Sequence, residues 1–195
     1  MNIRTYITTY NRPKMLEEQL RHLKVFGIDP IVKWDGVDFM HRGKDLYWLT
    51  WNEMLEDCKK NEADIYLFMP DDFERIDIDK IKELHQKREC YAYNIINDGR
   101  EKLFNRQVPY MEDGDINCGF VDCGFFCDRK ALDVLGYHID RPEVKEDSSG
   151  VGRALSNKFF LKIEMYKPVK SLAYHGNHES LMHPDIRKKT PLISL

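Results

Sequence analysis

Three places in the chain set polar or acidic side chains directly behind a short apolar run. Thr8-Thr9-Tyr10-Asn11 closes the first run, Asp35-Gly36 follows Ile31 to Trp34, and Pro70-Asp71-Asp72 ends the run from Ile65 to Met69. If these runs are parallel strands, the three clusters face one rim, the place where open α/β sheets bind ligands. Adjacent carboxylates repel, so Asp71 and Asp72 at the mouth of a buried strand cost stability unless a cation or donors compensate. A hard divalent cation bridging carboxylate and phosphate oxygens answers that cost and brings a diphosphate with it. The alternative for each cluster is local: Asp-Gly is an ordinary turn dipeptide, and Asp71-Asp72 suits a turn or a helix cap.

Glu146-Asp147 is a second acidic pair, placed just before a helical pattern. Acidic residues suit a helix N-terminus through capping and the backbone dipole. The functional alternative is a carboxylate that takes the proton from an acceptor hydroxyl. His175-Gly176-Asn177-His178 follows a strand pattern, and one imidazole there has the chemistry to join the same metal site. Arg187, Lys188 and Lys189 read as a solvated stretch, with phosphate contact as the sharper alternative. Cys118, Cys123 and Cys127 lack the paired spacing of structural zinc sites, so free thiols are expected.

The elements that must position these groups alternate in type, which predicts an α/β fold with a largely parallel sheet. Residues 2–9 read as the first strand. Pro13 then opens a helix, because its missing N–H costs nothing in the first turn. Leu16, Leu20 and Leu23 carry the helical period, and Gly27 stops it. A strand at 31–34 and a helix over 45–60 follow, with Trp48 and Trp51 on the buried face of that helix. Ile65 to Met69 is continuously apolar and too short for a helix, the mark of a strand covered on both faces. Beyond it come a helix at 79–88, a strand at 90–96, and a polar loop or hairpin at 97–117. The glycine-interrupted apolar stretch from Phe120 to Cys127 leads to a helix at 128–135, with Asp128 as N-cap and Gly136 as stop. A helix near 147–158 and strands at 159–164 and 169–174 complete the pattern.

The chain has 195 residues, with 30 basic and 33 acidic side chains and a formal charge of -3. That length suits one domain, and the charge balance excludes a histone-like tail or an acidic solvating segment as the main business. No apolar stretch approaches the roughly 18 residues of a membrane span. The opening residues also lack the layout of a signal peptide. The expectation is a cytoplasmic chain with reduced thiols, in the host cytoplasm if the gene is viral.

With those residues in view, the chain resembles the GT-A-type glycosyltransferases, in particular the family-two-like group that uses nucleotide-diphosphate sugars. Ile7-Thr8-Thr9-Tyr10-Asn11-Arg12-Pro13 followed by Leu16 resembles that family's first strand and helix, and Trp34-Asp35-Gly36 its second strand end. Leu67 to Asp72 is similar to its Asp-x-Asp metal site. Gly119 to Gly136 is similar to its acceptor-side segment, and Glu146-Asp147 to its Glu-Asp motif.

The resemblance implies a single GT-A-like, Rossmann-like domain, with residues 1–96 as the nucleotide-sugar half and 97–195 as the acceptor and catalytic half. It implies Thr8, Thr9, Tyr10, Asn11, Arg12, Asp35 and Asp71 as nucleotide-sugar-binding residues. It further implies Asp72 and His175 as ligands of Mn²⁺ or Mg²⁺, and Asp147 with Glu146 as the catalytic base. The implied reaction is metal-dependent, inverting transfer from a nucleotide-diphosphate sugar, with a UDP-sugar favoured, onto an acceptor hydroxyl. The acceptor is a glycan or a hydroxylated base in phage DNA, where Arg100, Lys102 and Arg106 would meet phosphates.

Two departures stand out. Pro70 replaces the first acidic residue of the metal motif, and Ser148-Ser149-Gly150 is an unusual continuation of the Glu-Asp motif. They favour the alternative, a non-catalytic nucleotide-sugar-binding protein that retains the fold. The processive-synthase signature is missing, and residues 8–13 do not supply the glycine- and lysine-rich phosphate loop of a nucleotidyltransferase.

Overall fold

The computed structural model describes residues 1–10, 12–34, 43–97, 115–145 and 149–175. Strand β3 (Ile65–Pro70) lies inside the sheet, buried from Ile65 through Met69. On one side it pairs in parallel with β1 (Ile3–Thr9), which in turn pairs in parallel with β2 (Ile31–Trp34). On its other side the order continues through β7 (Phe125–Cys127), β5 (Tyr91–Asn94), β8 (Glu164–Pro168) and β6 (Asp115–Asn117). β2, β1, β3, β5 and β8 share one direction, while β7 and β6 run against their neighbours. The fold is therefore α/β and Rossmann-like, with a seven-stranded mixed sheet whose strands mostly point one way.

Both faces of the sheet are covered, which is why β3 shows no polar alternation. Leu67 and Met69 pack with Leu16 and Leu23 of α1 (Pro13–Val25) and with Ile81 of α3 (Ile78–Gln86). Tyr66 and Phe68 point the other way, into a cluster with Trp51 of α2 (Gly43–Lys60), Leu132 of α4 (Arg129–Leu135) and Leu155 of α5 (Val151–Phe159). Trp51 is buried against the rings of Phe68 and Phe125, and Trp48 packs at the edge of the same cluster. A small antiparallel ribbon, β4 (Phe73–Glu74) with β9 (Tyr174–His175), stands apart from the main sheet.

Several expectations shift. The last helix begins at Val151 behind Gly150, which has a left-handed φ of 76°. The N-cap position of that helix is therefore Gly150. Val151, Leu155 and Phe159 recur every fourth residue on the buried face, so the helix absorbs the start of the strand expected at 159–164. The chain then turns through Leu161, itself left-handed and exposed, before β8 starts at Glu164. The strand expected at 169–174 reduces to β9. In the stretch from Phe120 to Cys127 only the last three residues pair, and β6 emerges at 115–117, where a loop or hairpin was expected, as an edge strand against β8. Asp128 caps α4 by accepting from Ala131 N at 2.9 Å, and Gly136 ends that helix in the left-handed region, as expected.

Candidate functional site

Parallel pairing brings two of the polar strand ends together. Thr8 lies opposite Pro70 in the β1–β3 register, and Asp71 N donates to Thr8 O at 3.0 Å, so the pairing continues past the strand end. Side chains alternate across a strand. Thr8 therefore meets Tyr47 Oη of α2 at 2.9 Å, while Thr9 Oγ1 donates to Asp71 Oδ2 at 2.5 Å. Tyr10 follows at the rim, partly buried.

Asp71 and Asp72 are both buried, and the compensation that two neighbouring carboxylates require comes from within the chain. Arg12, at the N-cap of α1, places Nη1 2.9 Å from Asp72 Oδ2 and 3.3 Å from Asp71 Oδ1. Pro13 at the first helical position fixes where α1 begins, and the residue before a proline is held off the helical region. Arg12 has φ -124° and ψ 64°, and makes no side-chain capping bond to its own helix. Burial pushes the Asp71 carboxyl above the usual carboxylate range and the Asp72 charge adds to the rise; Thr9 and Arg12 pull against it.

A residue that the sequence reasoning missed holds this turn from behind. Gln19 is buried on the inner face of α1, and its Nε2 reaches Pro70 O at 3.0 Å and Phe73 O at 3.1 Å. It also lies 3.2 Å from Met69 Sδ. Those two carbonyls bracket Asp71 and Asp72. The signal was available, since Gln19 sits between Leu16 and Leu23 on the apolar stripe, where a polar residue needs buried partners.

His175 comes back to the same place through the ribbon. β9 pairs Phe73 with His175, so the His175 backbone lies opposite the residue that follows Asp72. Asn94, at the end of β5, donates to Phe120 O and Tyr166 O and accepts from Asp122 N, fixing the 120–122 segment at the carboxyl end of its strand.

Thus Thr9, Arg12, Asp71 and Asp72 converge, and His175 joins them at the level of the backbone. Thr8 is engaged with α2. Asn11, Asp35, Glu146 and Asp147 lie outside the described residues, as do Arg100, Lys102, Arg106 and Arg187 to Lys189. The cysteines are free, and Cys118, Cys123 and Cys127 belong to no group of three metal-ligating side chains among the described residues. No group of three metal-ligating side chains forms at this turn among the described residues; its two buried carboxylates, Asp71 and Asp72, are oxygen donors of the kind Mn²⁺ or Mg²⁺ takes when diphosphate oxygens complete the shell. Arg12 now holds one of the carboxylate oxygens that such an ion would take.

No protein-family model matches the chain, and no curated protein matches it. Among solved structures the chain is similar to the crystal structure of A197 from STIV. The two are 16% identical, with 89% of this chain and 85% of that chain covered and a TM-score of 0.45. No helix among the described residues is long and apolar enough to cross a membrane.

Proposed function

We propose that this chain is a glycosyltransferase that moves a sugar from a nucleotide diphosphate, a UDP-sugar by preference, onto an acceptor hydroxyl. The observation that carries this reading is the meeting of Thr9, Arg12, Asp71 and Asp72 where β1 and β3 end, with the His175 backbone opposite Phe73. In a largely parallel sheet that rim is where a nucleotide is held. Asp72 and His175 would hold Mn²⁺ or Mg²⁺, which when bound neutralises charge on the departing diphosphate. Thr9 and Asp71, with Tyr10, Asn11 and Asp35, would hold the nucleoside. Arg12 would meet phosphate oxygens with its guanidinium fork. Asp147, with Glu146 beside it, would take the proton of the acceptor hydroxyl, and a single in-line displacement inverts the anomeric centre. The acceptor is a glycan or a hydroxylated DNA base.

The test is UDP-sugar hydrolysis and transfer with Mn²⁺ in wild type, Asp72→Ala and Asp147→Asn. Asp72→Ala is expected to lose both activities while remaining folded. Asp147→Asn is expected to bind donor and lose transfer by about a hundredfold or more, the usual worth of a positioned base. Wild-type rates in Asp72→Ala would remove the cation assignment. Donor binding without turnover by the wild type, across glycan and DNA acceptors, would establish the non-catalytic binding protein instead.

A further inference from the structure

At the acidic turn Arg12 already does what a bound cation would do. Its side chain is 13% exposed, and a single terminal nitrogen reaches both Asp71 and Asp72. A guanidinium carries several N–H donors, and the buried Nε of Arg12 has no partner among the described residues. The group therefore keeps donor capacity while its charge rests on two anions that a divalent ion would also claim. A guanidinium and a divalent ion packed on the same buried carboxylates repel strongly where water is excluded. One of them must leave.

We propose that Arg12 is a tethered, exchangeable counter-ion. Without ligand it neutralises Asp71 and Asp72; when a divalent cation enters, its guanidinium moves to the diphosphate that arrives with that cation. This inference rests on the reading of the Asp72 site as a cation–diphosphate site, and adds to it an order of binding. The cation alone binds weakly because it must evict Arg12 with nothing to receive it. The cation and diphosphate together bind well because the guanidinium has a new anion, which it fits as well as it fits a carboxylate.

Three features make exchange the outcome and not collapse of the turn. Gln19 grips the carbonyls of Pro70 and Phe73, so the turn keeps its shape without Arg12. Asp71 is held separately, through its N–H by Thr8 O and through its carboxylate by Thr9. Arg12 makes no capping bond to α1, so its side chain can swing without opening the helix. The charge count agrees. Two carboxylates and one guanidinium leave a single net negative charge; a divalent cation in place of the guanidinium leaves the pair neutral and frees the guanidinium's positive charge for the diphosphate.

Isothermal titration of MnCl₂ alone, and of UDP at saturating Mn²⁺, into wild type, Arg12→Gln and Asp72→Ala tests the exchange. Arg12→Gln is expected to bind Mn²⁺ alone about tenfold more tightly, since buried carboxylates left without their partner seek another cation. The same variant is expected to bind UDP with Mn²⁺ about tenfold more weakly, having lost a charge-assisted phosphate contact. A purely structural arginine would move both affinities in the same direction. Mn²⁺ binding that is equal or weaker in Arg12→Gln, while wild type binds and Asp72→Ala does not, overturns the exchange and leaves the cation site standing. Absence of Mn²⁺ binding in both wild type and Arg12→Gln overturns both readings. If Arg12→Gln fails to fold, the wild-type Arg12 Nε–Hε resonance, assigned by its loss in Arg12→Lys, decides. It must shift on saturation with Mg²⁺ and again on addition of UDP, and a resonance unmoved by both overturns the exchange.

Discussion

Gly124 lies so close to Phe73 that a Cβ at position 124 would stand 2.4 Å from the edge of the aromatic ring. The ring is buried and belongs to the residue that directly follows Asp72, so it cannot give way without moving the acidic turn. Gly124→Ala is therefore expected to destabilise the fold by about 1–3 kcal/mol, the usual cost of overpacking. Urea unfolding measures the loss. Adding Phe73→Leu should recover more than half of it by making room, and a double variant no better than the sum of the two singles would sever the proposed contact.

Gln19 offers a second handle on the same turn from the opposite side. Gln19→Met keeps the volume and flexibility of the side chain but leaves the carbonyls of Pro70 and Phe73 buried without their donor. The expected cost is about 1–3 kcal/mol in stability, together with a weaker affinity for UDP and Mn²⁺. Leu84→Ala on α3, at an expected cost of about 2–5 kcal/mol, serves as the control, because Leu84 packs in the core without bonding to the turn. Binding weakened in Gln19→Met but not in Leu84→Ala would show that Gln19 sets the turn's geometry. Equal binding in both would reduce Gln19 to a structural residue.

The parts of this fold that could be read from the chain are those whose signal is local. Asp128 and Gly136 bracket α4 because a capping carboxylate and a left-handed glycine act within one helix turn. The apolar run at 65–69 declared a doubly covered strand because both sheet faces demand burial of the same residues. β6 was hidden for the opposite reason: Asp-Ile-Asn carries little apolar signal and is held at the sheet edge by pairing with β8. The site divides in the same way. That Thr9, Asp71 and Asp72 share a rim follows from strand order, which periodicity suggests. That Arg12 supplies the compensating charge depends on where Pro13 starts α1 relative to β3, a tertiary relation absent from the spacing. The acidic pair was read as the seat of a divalent cation, whereas the compensating charge found beside it is the Arg12 guanidinium.

Asp71 links the site to pH. Burial, reinforced by the neighbouring Asp72 charge, raises its carboxyl above the ordinary value despite Thr9 and Arg12. The folded chain thus holds this proton to higher pH than the unfolded chain, whose Asp titrates near about 3.9. The resulting stabilisation is complete below that unfolded value and is lost as the pH rises through the folded one. Asn cannot ionise, and its side-chain oxygen still accepts from Thr9, so Asp71→Asn should show no such loss. Urea unfolding in chelator between about pH 4 and 7 is expected to show Asp71→Asn gaining on wild type as the pH rises through the folded carboxyl value, and no further above it. Parallel profiles would mean that Asp71 ionises alike in the folded and unfolded chains. Mn²⁺ should narrow the gap at neutral pH, because a cation that prefers the ionised pair binds the folded wild type and stabilises it by mass action. Asp71→Asn, with one anion fewer at the turn, is expected to gain less from the same addition.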